Sequence, residues 1–544
     1  MPSLKNRVNS FIFTSQSQLI LVLISILAFF RSMDIYFVGD EINHIESAWE
    51  GLTDLTHHYF RPVKELTLII DRFFWGYNHA GYHMTNLILH TANTLLVFVL
   101  ATRIHFERSA AFIAALLFLL HPIHSTSVYW ITGRTDILCT LFYLTGLVFF
   151  INYYKSCKLM TLLFSIGSFL LALLSKEMAI SFPLVITAYV MAFTSDKRQM
   201  LKHSIRSTWP FWALIVLYAV FRLIIAGPDV LTGKVHTNLE ITNLIRNLSV
   251  FIGLLVIPGG HIEISNFLKS NQQVFTVLTF ACLFILLFLI RVLLKRKETL
   301  FLTLFVLLTL LPVIRLAMRW YLYLPSVGFC LLVAYSIWKL QSQKGNRRKI
   351  AFLALTVILL TYSTFLIVEQ SRWLKSGQIS KHVTYLIAEK MATENLYSCF
   401  LLSVPAEYKE TLTLIHGLES LVNLRLRSDF GYTLPAKILS ATLISVRSDQ
   451  DASFDQLVEH RNAAFRLSLK DSPSFFIFPD QVEIAIYHVR PEIGSKFSYS
   501  TYDIIIRGLN KAGEVDELDV IFSKPDKRFF ELISDDKIRV EPID

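Results

Sequence analysis

The sequence predicts a polytopic α-helical membrane protein that ends in a small α/β domain outside the membrane. Of its 544 residues, 53% are hydrophobic and only 17% are charged, whereas soluble domains carry about 25% charged residues. Long apolar runs recur as far as about residue 370. Beyond that point, short runs alternate apolar and polar side chains between turn-forming residues, which is typical of strands. These three observations together predict the fold class.

Eleven of the apolar runs are close to the roughly 20 residues that cross a bilayer. The first follows Lys5 and Arg7 and has no small-residue cleavage site, so we predict a retained signal anchor. The predicted spans are 17–37, 82–103, 109–131, 135–154, 159–175, 178–194, 208–226, 274–294, 298–314, 321–338 and 350–369.

The apolar segment 242–260 decides the orientation of the chain. If it does not span, all basic loop clusters are cytoplasmic, as the positive-inside rule requires. If it spans, the basic clusters at 291–297 and 339–349 lie outside. We therefore predict a re-entrant or surface segment there and an extracytoplasmic C-terminus. Cytoplasmic loops facing anionic lipid then explain the formal charge of +10, and no nucleic-acid partner is expected.

The predicted organisation has two domains. Residues 1–370 form the membrane domain, in which 38–81 is a long first outer loop, and residues 371–544 form an extracytoplasmic mixed α/β domain. Within the second domain, the pattern predicts strands at 400–404, 441–446, 475–478, 482–487 and 502–506, and helices at 383–395 and 454–465. The five cysteines form no CxxC pair and indicate no metal site.

The first outer loop begins with two adjacent carboxylates, Asp40 and Glu41. At the membrane surface such a pair could supply a general base, although a solvated loop start would have the same composition. Further along the loop, His57 and Arg61 would share a helical face. Pro62 makes a helix boundary at this point equally plausible.

Polar residues in the second predicted span recur at helical spacing. His83, Asn86, His90 and Asn93 fall on one face. A polar stripe in lipid has to face the bundle interior. It either forms hydrogen bonds between helices or faces a ligand.

Charged residues mark the predicted outer ends of the later spans. Arg134 and Asp136 either pair with each other or leave the arginine to clamp a phosphate. Lys176 and Glu177 form an outer turn, and Arg319 precedes the aromatic stretch that begins at Tyr321. Arg222, inside the seventh span, needs an internal partner or an anionic ligand. His124 lies in the same set of outer loops, and together these residues predict one shared outer cavity.

At these residues the sequence resembles the GT-C glycosyltransferases, and within them the membrane domain of the transmembrane and tetratricopeptide-repeat O-mannosyltransferases and their bacterial relatives. The matching stretches are Phe60-Arg61-Pro62 with Gly81 to His90, Leu120 to His124 with Gly133 to Asp136, Leu174 to Glu177, and Tyr321 to Gly328. Two features depart from the family pattern. Arg319-Trp320 stands where the family often has Glu-Arg, and the C-terminal domain lacks helical repeats.

The resemblance implies a polyprenyl- or dolichyl-phosphate sugar donor and an acidic residue in the first outer loop, which Asp40 matches, with Glu41 beside it. We expect inverting transfer at the outer face to a protein, lipid or glycan acceptor, with donor and enzyme held in membrane lipid. The expected donor-phosphate residues are Arg134, Lys176, Arg319 and Arg222. The expected sugar-binding, acceptor-binding or orienting residues are His57, Arg61, His83, His90, His124, Asp136, Glu177 and Tyr321. No cofactor is assigned, and a divalent cation is left open.

Two other functions also fit a membrane protein with buried charges. One is a flippase or transporter of lipid-linked glycan, for which internal repeats would be expected. The other is a polysaccharide polymerase or ligase that uses a lipid-linked oligosaccharide. Short loops and the missing repeats favour a bacterial inner membrane over the endoplasmic reticulum.

Overall fold

The computed structural model falls into two compact units. The residues that it describes are 4–56, 59–194, 199–227, 241–257, 296–409, 411–446, 454–460, 464–469, 474–476, 492–498, 502–509, 515–522, 529–534 and 538–542. The first unit comprises Met1–Met33 and Ser47–Gln370, and the second comprises Asp34–Glu46 and Ser371–Asp544. The beginning of the predicted outer loop therefore belongs to the same unit as the C-terminal region.

The first unit is helical. Its helices are α1 (Leu4–Phe29), α3 (Ala48–Thr53), α4 (Pro62–Trp75), α5 (His79–Arg103), α6 (Arg108–Leu120), α7 (Ser125–Tyr129), α8 (Arg134–Ser156), α9 (Leu159–Leu173), α10 (Phe182–Phe193), α11 (Met200–Ala226), α12 (Ile241–Val256), α13 (Lys297–Leu310), α14 (Pro325–Gln341) and α15 (Asn346–Thr393), of which α15 continues into the second unit. The short helix α2 (Glu41–Glu46) belongs to the second unit.

Five helical segments of the described residues are long and apolar enough to cross a membrane, so the chain is a multi-pass membrane protein. They are Ser15–Asp34, His79–Arg103, Ile131–Ser156, Met200–Ala226 and Asn346–Thr393. Shorter apolar helices include α9 and α12. The predicted span 274–294 and the end of the segment 242–260 lie outside the described residues.

The predicted span 109–131 is not one straight helix. It divides into α6 and a second helical piece, Pro122–Tyr129, with a bend of 45° between them. Proline has no backbone N–H and disfavours a helical conformation in the residue before it. His121 is accordingly extended, with φ −64° and ψ 118°, and its ring accepts the backbone N–H of Ile123.

Helix α4 is amphipathic, but its polarity is the reverse of that of a surface helix in a water-soluble protein. Three of its four charged residues, Lys64, Glu65 and Asp71, are buried, whereas Arg72, Phe73 and Phe74 are exposed. A helix in water buries its apolar stripe and exposes its charges. The outward side of α4 therefore fits an apolar surrounding, and its inward side delivers charge to the bundle.

The second unit contains two sheets and α16 (Leu418–Phe430). The strands are β1 (Ser398–Tyr408), β2 (Thr411–Leu412), β3 (Lys437–Val446), β4 (Phe454–His460), β5 (Ala464–Leu469), β6 (Ser474–Phe476), β7 (Lys496–Ser498), β8 (Tyr502–Leu509), β9 (Val515–Phe522), β10 (Phe529–Ser534) and β11 (Ile538–Pro542). One sheet has the order β4-β10-β1-β3-β6, with β2 paired to β1, and the other has the order β11-β5-β9-β8-β7. β1 is parallel to β3 and β10, and the remaining pairs are antiparallel.

The helix predicted at 454–465 is wrong. Residues 454–460 form β4, which pairs with β10 in antiparallel register, and β5 begins at Ala464. Ladder pairing overrides a local helical preference when a partner strand is available. The strands predicted at 400–404, 441–446 and 502–506 lie in β1, β3 and β8, and the predicted helix 383–395 is the end of α15. The strand predicted at 482–487 lies outside the described residues.

Candidate active site

Arg134 opens α8 and is completely enclosed. Its Nη2 lies 2.6 Å from Asp71 Oδ2 of α4 and donates to the Tyr82 carbonyl at 3.0 Å. Its Nε donates to Asn86 Oδ1 at 2.7 Å. The sequence left a direct pair between Arg134 and Asp136 open. The structure excludes it, because residues two apart on a helix do not face each other.

Asp136 pairs instead with Lys176, in the turn that follows α9. The Lys176 ammonium lies 2.7 Å from both carboxylate oxygens, and both side chains are buried. The same ammonium lies 4.7 Å from the centre of the Tyr321 ring. A cation over an aromatic face is attracted by the ring quadrupole. Asp136, Lys176 and Tyr321, which are distant in sequence, thus meet at the Lys176 ammonium.

A second ion pair joins this turn to the first outer loop. Arg61 Nη2 lies 2.9 Å from both Glu177 oxygens, and the guanidinium stacks 4.9 Å from the Tyr59 ring. The Glu177 side chain is 45% exposed, so this pair is open on one side. Arg61 Nε is buried and has no acceptor within the described residues. We call Arg61, Asp136, Lys176, Glu177 and Tyr321 the Lys176 cluster.

Arg319 is buried and braces the segment before Tyr321. Its Nη1 lies 2.7 Å from Glu369 Oε2 of α15, and its Nη2 donates to the Pro122 carbonyl at 3.1 Å. Ser125 Oγ also donates to Glu369 at 3.1 Å. Arg319 therefore joins the break after α6 to α15 within the first unit.

Arg222 has the internal partner that its place in a span requires. Its Nη1 donates to the Leu55 carbonyl at 2.7 Å, and its guanidinium lies 5.3 Å from the Phe60 ring. It holds the first outer loop from the side of α11.

The polar stripe of α5 is fully buried and comprises His83, Asn86, His90 and Asn93. His90 Nδ1 lies 2.6 Å from the Tyr323 hydroxyl, to which Asn93 Nδ2 also donates at 3.2 Å. His124 Nε2 lies 2.8 Å from Ser326 Oγ. Of the two alternatives for the stripe, these contacts favour hydrogen bonding between helices over contact with a ligand. His57 lies outside the described residues.

Asp40 and Glu41 belong to the second unit and differ from each other. Glu41 is buried, and its Oε2 accepts the Val38 N–H at 2.9 Å, so it acts as a cap. Asp40 is partly exposed and lies 3.3 Å from His44 Nε2. The preceding Gly39 has φ +55°, a conformation that favours glycine. Asp40 is thus the accessible carboxylate of the pair.

The sequence analysis did not identify the acidic partners of Arg134 and Arg319. Asp71 lies in an apolar run of the sequence on the buried side of α4, and Glu369 lies at the end of the last predicted span. The available signal was a carboxylate inside an apolar run, which is expensive unless it is paired. Within the part of the chain that the structure describes, no three His, Cys, Asp or Glu side chains are grouped to hold a metal ion.

Known proteins resemble parts of this chain. Human protein O-mannosyl-transferase TMTC4 is 31% identical over 175 residues, which is 26% of this chain and 23% of the human protein. Mouse protein O-mannosyl-transferase TMTC1 is 37% identical over 109 residues, which is 20% of this chain and 11% of the mouse protein. Human protein O-mannosyl-transferase TMTC3 is 25% identical over 365 residues, which is 57% of this chain and 39% of that protein. The predicted resemblance is confirmed, and each match spans less than half of the relative's length.

Two solved structures were also found to be similar. The oligosaccharyltransferase of Archaeoglobus fulgidus with a tethered acceptor peptide has a TM-score of 0.45 at 14% identity, over 71% of this chain and 61% of that chain. ArnT of Cupriavidus metallidurans bound to undecaprenyl phosphate has a TM-score of 0.43 at 15% identity, over 78% of this chain and 92% of that chain. No family model matches this chain.

Proposed function

We propose that the chain is an inverting glycosyltransferase that moves a sugar from a polyprenyl-phosphate donor to an acceptor at the outer face of a membrane. The similarity to curated O-mannosyl-transferases supports sugar transfer. The observation that carries the proposal is the Lys176 cluster, where a buried lysine lies beside an arginine whose buried Nε has no acceptor in the described residues. Buried donors are normally paired, so this one suits an anionic ligand.

The proposed topology keeps eleven spans, with the basic loops in the cytoplasm and the residues after 370 outside. The proposed membrane domain is 1–370 and the proposed extracytoplasmic domain is 371–544, as the sequence predicts, although Asp34–Glu46 belong to the same compact unit as the residues after 370. Five apolar helices of spanning length and the inverted polarity of α4 support a multi-pass arrangement. The bacterial inner membrane is the proposed location.

Lys176 and Arg61 are our first assignment for the donor phosphate. Leaving-group phosphate gains charge as the glycosidic bond breaks, and preorganised cations stabilise that charge most strongly in a site that excludes water. The nearby carboxylates Asp136 and Glu177 orient these cations and offer acceptors to sugar hydroxyls. Arg134 and Arg222 rank lower as phosphate ligands, because both are buried and their guanidiniums bind acceptors within the protein. Arg319 Nε also has no acceptor in the described residues. Arg319 ranks below Arg61 because its ion pair with Glu369 is buried, whereas the Glu177 partner of Arg61 is half exposed.

Asp40 is the proposed general base. It would take the proton of an acceptor hydroxyl as that oxygen bonds to the anomeric carbon, while the bond from that carbon to the phosphate oxygen breaks. The products are the inverted glycoside and polyprenyl phosphate. Base catalysis of this kind contributes about 10²–10⁴-fold in rate. Glu41 has a structural role in this scheme, because it already caps the Val38 N–H.

The acceptor is a hydroxyl of a protein, lipid or glycan. The curated relatives are named as protein O-mannosyl-transferases, which makes mannose the first sugar to test. The chain spans under two fifths of these relatives' length, so the acceptor needs to be tested separately from the donor.

The direct test incubates purified full-length protein with labelled undecaprenyl-phosphate mannose and cell-envelope acceptors. Wild type should transfer label, and Asp40→Asn should lower the rate by at least about 10²-fold without loss of folded protein. Glu50→Gln, on an exposed acidic residue of α3, is the matched control and should retain activity. Full turnover by Asp40→Asn would remove Asp40 from the mechanism, and absence of transfer by wild type from every lipid-linked hexose would refute the proposed function.

A further inference from the structure

Three half-buried aromatic side chains contact one another in series at the Tyr321 end of the Lys176 cluster. The ring planes of Trp130 and Trp320 are inclined by 56°, and those of Trp320 and Tyr321 by 64°. The ring centres of Trp130 and Trp320 are 5.6 Å apart, and those of Trp320 and Tyr321 are 5.9 Å apart. All three side chains are partly accessible. We call Trp130, Trp320 and Tyr321 the aromatic platform.

The backbone on the Trp130 side of the platform is rigid. The Trp130 carbonyl accepts Asn86 Nδ2 at 3.2 Å and the Gly133 N–H at 3.0 Å. Gly133 packs so tightly that a Cβ there would lie 2.8 Å from the Cα of Ser127. The ring of Trp130 is therefore presented from a turn that has little freedom to move.

The Trp320 side is held by its neighbour. Arg319 binds Glu369 and the Pro122 carbonyl, and the Tyr323 N–H donates to the Trp320 carbonyl at 3.2 Å. Arg319 thus acts as a positioning residue for Trp320. Binding sites held on rigid elements lose little conformational entropy when a ligand arrives.

The platform lies next to the cation that we assign to the donor phosphate. The Tyr321 ring centre is 4.7 Å from Lys176 Nζ. The Trp320 ring centre lies a further 5.9 Å from that of Tyr321. In a polyprenyl-phosphate sugar, a single oxygen separates the sugar ring from the phosphorus. A donor with its phosphate at Lys176 would therefore bring its sugar ring to this surface.

We propose that the aromatic platform binds the pyranose ring of the donor, an inference that rests on the proposed function. One face of a pyranose ring is lined by C–H groups, whereas its hydroxyls point outward from the edge. The face of one platform ring matches this apolar side, and the inclined neighbouring rings border it. The half-exposed Glu177 carboxylate can accept hydrogen bonds at the edge of the sugar. Ligand sites combine apolar and aromatic walls with a few placed polar groups in this way.

The rival occupant is lipid, because tryptophan is also common at membrane interfaces. Trp209 on α11 shows how an interfacial tryptophan of this chain differs from the platform. The Trp209 side chain is 60% exposed, whereas Trp130 and Trp320 are half-buried and contact each other. Pairing beside a charged cluster favours a sugar over an acyl chain.

The experiment measures the dissociation constants of undecaprenyl-phosphate mannose and undecaprenyl phosphate for the full-length protein in lipid nanodiscs. Wild type should bind the mannose-bearing lipid more tightly. Trp320→Ala and Trp130→Ala should each reduce that preference by about three- to ten-fold and leave the affinity for undecaprenyl phosphate unchanged. Trp320→Phe should keep part of the preference, and Trp209→Ala should keep all of it.

The outcomes separate this inference from the proposed function. If wild type binds neither lipid, the donor assignment fails and the platform fails with it. If wild type binds both lipids equally, or if Trp320→Ala keeps the mannose preference, the platform is wrong while the donor assignment stands. If Trp320→Ala and Trp320→Phe weaken the binding of both lipids to the same extent, the rings contact the lipid chain and the sugar assignment is overturned.

Discussion

Two ion pairs start from neighbouring positions of α8 and differ in what surrounds them. Arg134 is fully enclosed, and its guanidinium forms an ion pair with Asp71 and donates hydrogen bonds to Asn86 and the Tyr82 carbonyl. Lys176, which pairs with Asp136, faces the Tyr321 ring instead and is followed by the half-exposed Glu177. Both pairs are buried, but only the second lies next to a half-exposed charged side chain, that of Glu177.

The difference shows that burial of a charge does not by itself identify a functional residue. Removing one partner of a buried pair leaves an uncompensated charge in the interior, which is a cost to folding. Removing a member of a pair that lies next to an exposed side chain also changes what a ligand meets there. Substitutions in the first pair should therefore lower mainly stability, whereas substitutions in the second pair should lower mainly activity, when both are measured on the same variants.

The largest expected effect is on folding. Arg134→Met leaves Asp71 buried without its cation and should destabilise the protein by about 3–5 kcal/mol. Thermal unfolding of the purified protein, together with its yield in the membrane, measures this. The double variant Arg134→Met with Asp71→Leu should recover much of the loss, because it removes both charges. A stable and inactive Arg134→Met protein would instead make Arg134 a ligand-binding residue.

The next effect is on catalysis. Asp136→Asn keeps the size of the side chain but removes the charge that orients Lys176, and we expect kcat to fall by about 10²-fold. Donor turnover at saturating acceptor measures this, with unfolding temperature as the control. A fall in stability with unchanged kcat would place this pair in the same structural class as Arg134 and Asp71.

A smaller effect is expected where Arg319 braces the aromatic segment. Glu369→Gln weakens a charge-assisted contact yet keeps a hydrogen-bond acceptor for Ser125, so stability should fall by about 1–2 kcal/mol. If Arg319 positions Trp320, KM for the donor should rise more than kcat falls. An unchanged KM would restrict this pair to a folding role.

The smallest effect lies in the second unit, in the sheet that contains β5, β8 and β9. Burial opposes ionisation of Asp519, but hydrogen bonds from Arg466 and Arg507 hold the pKa of this carboxylate below its ordinary value. Its contribution to stability is thus present above the unfolded-state pKa of about 3.9 and is lost as pH falls through the lower folded-state pKa. Asp519→Asn should remove that acid-dependent part of the unfolding curve, whereas an unchanged curve would contradict this role.

The apolar helices could be predicted from the sequence because roughly 20 apolar residues suffice to mark a span. The stripe on α5 was predictable as well, since helical spacing alone places His83, Asn86, His90 and Asn93 on one face. The break at Pro122 and the strand at 454–460 were not predicted. Both depend on local geometry or a distant partner that hydrophobic patterning does not register.

The sequence did not predict which charged residues pair with each other. Arg134 and Asp136 are two residues apart, yet their partners come from α4 and from the turn after α9. Which pair lies next to a half-exposed charged side chain depends on how those segments pack. The resemblance indicated where the charged residues lie along the chain, and only the contacts indicate which of them remain accessible.

The most direct test of this account is the affinity of the full-length protein for undecaprenyl phosphate when Lys176 is replaced. Lys176→Met should weaken binding by at least about ten-fold, equivalent to about 1.4 kcal/mol. Lys64→Met is the matched control, because Lys64 is also buried and ion-paired, to Glu65 at 2.8 Å, and it should bind like wild type. Equal binding by Lys176→Met and wild type would contradict the assignment of the Lys176 cluster to the donor phosphate.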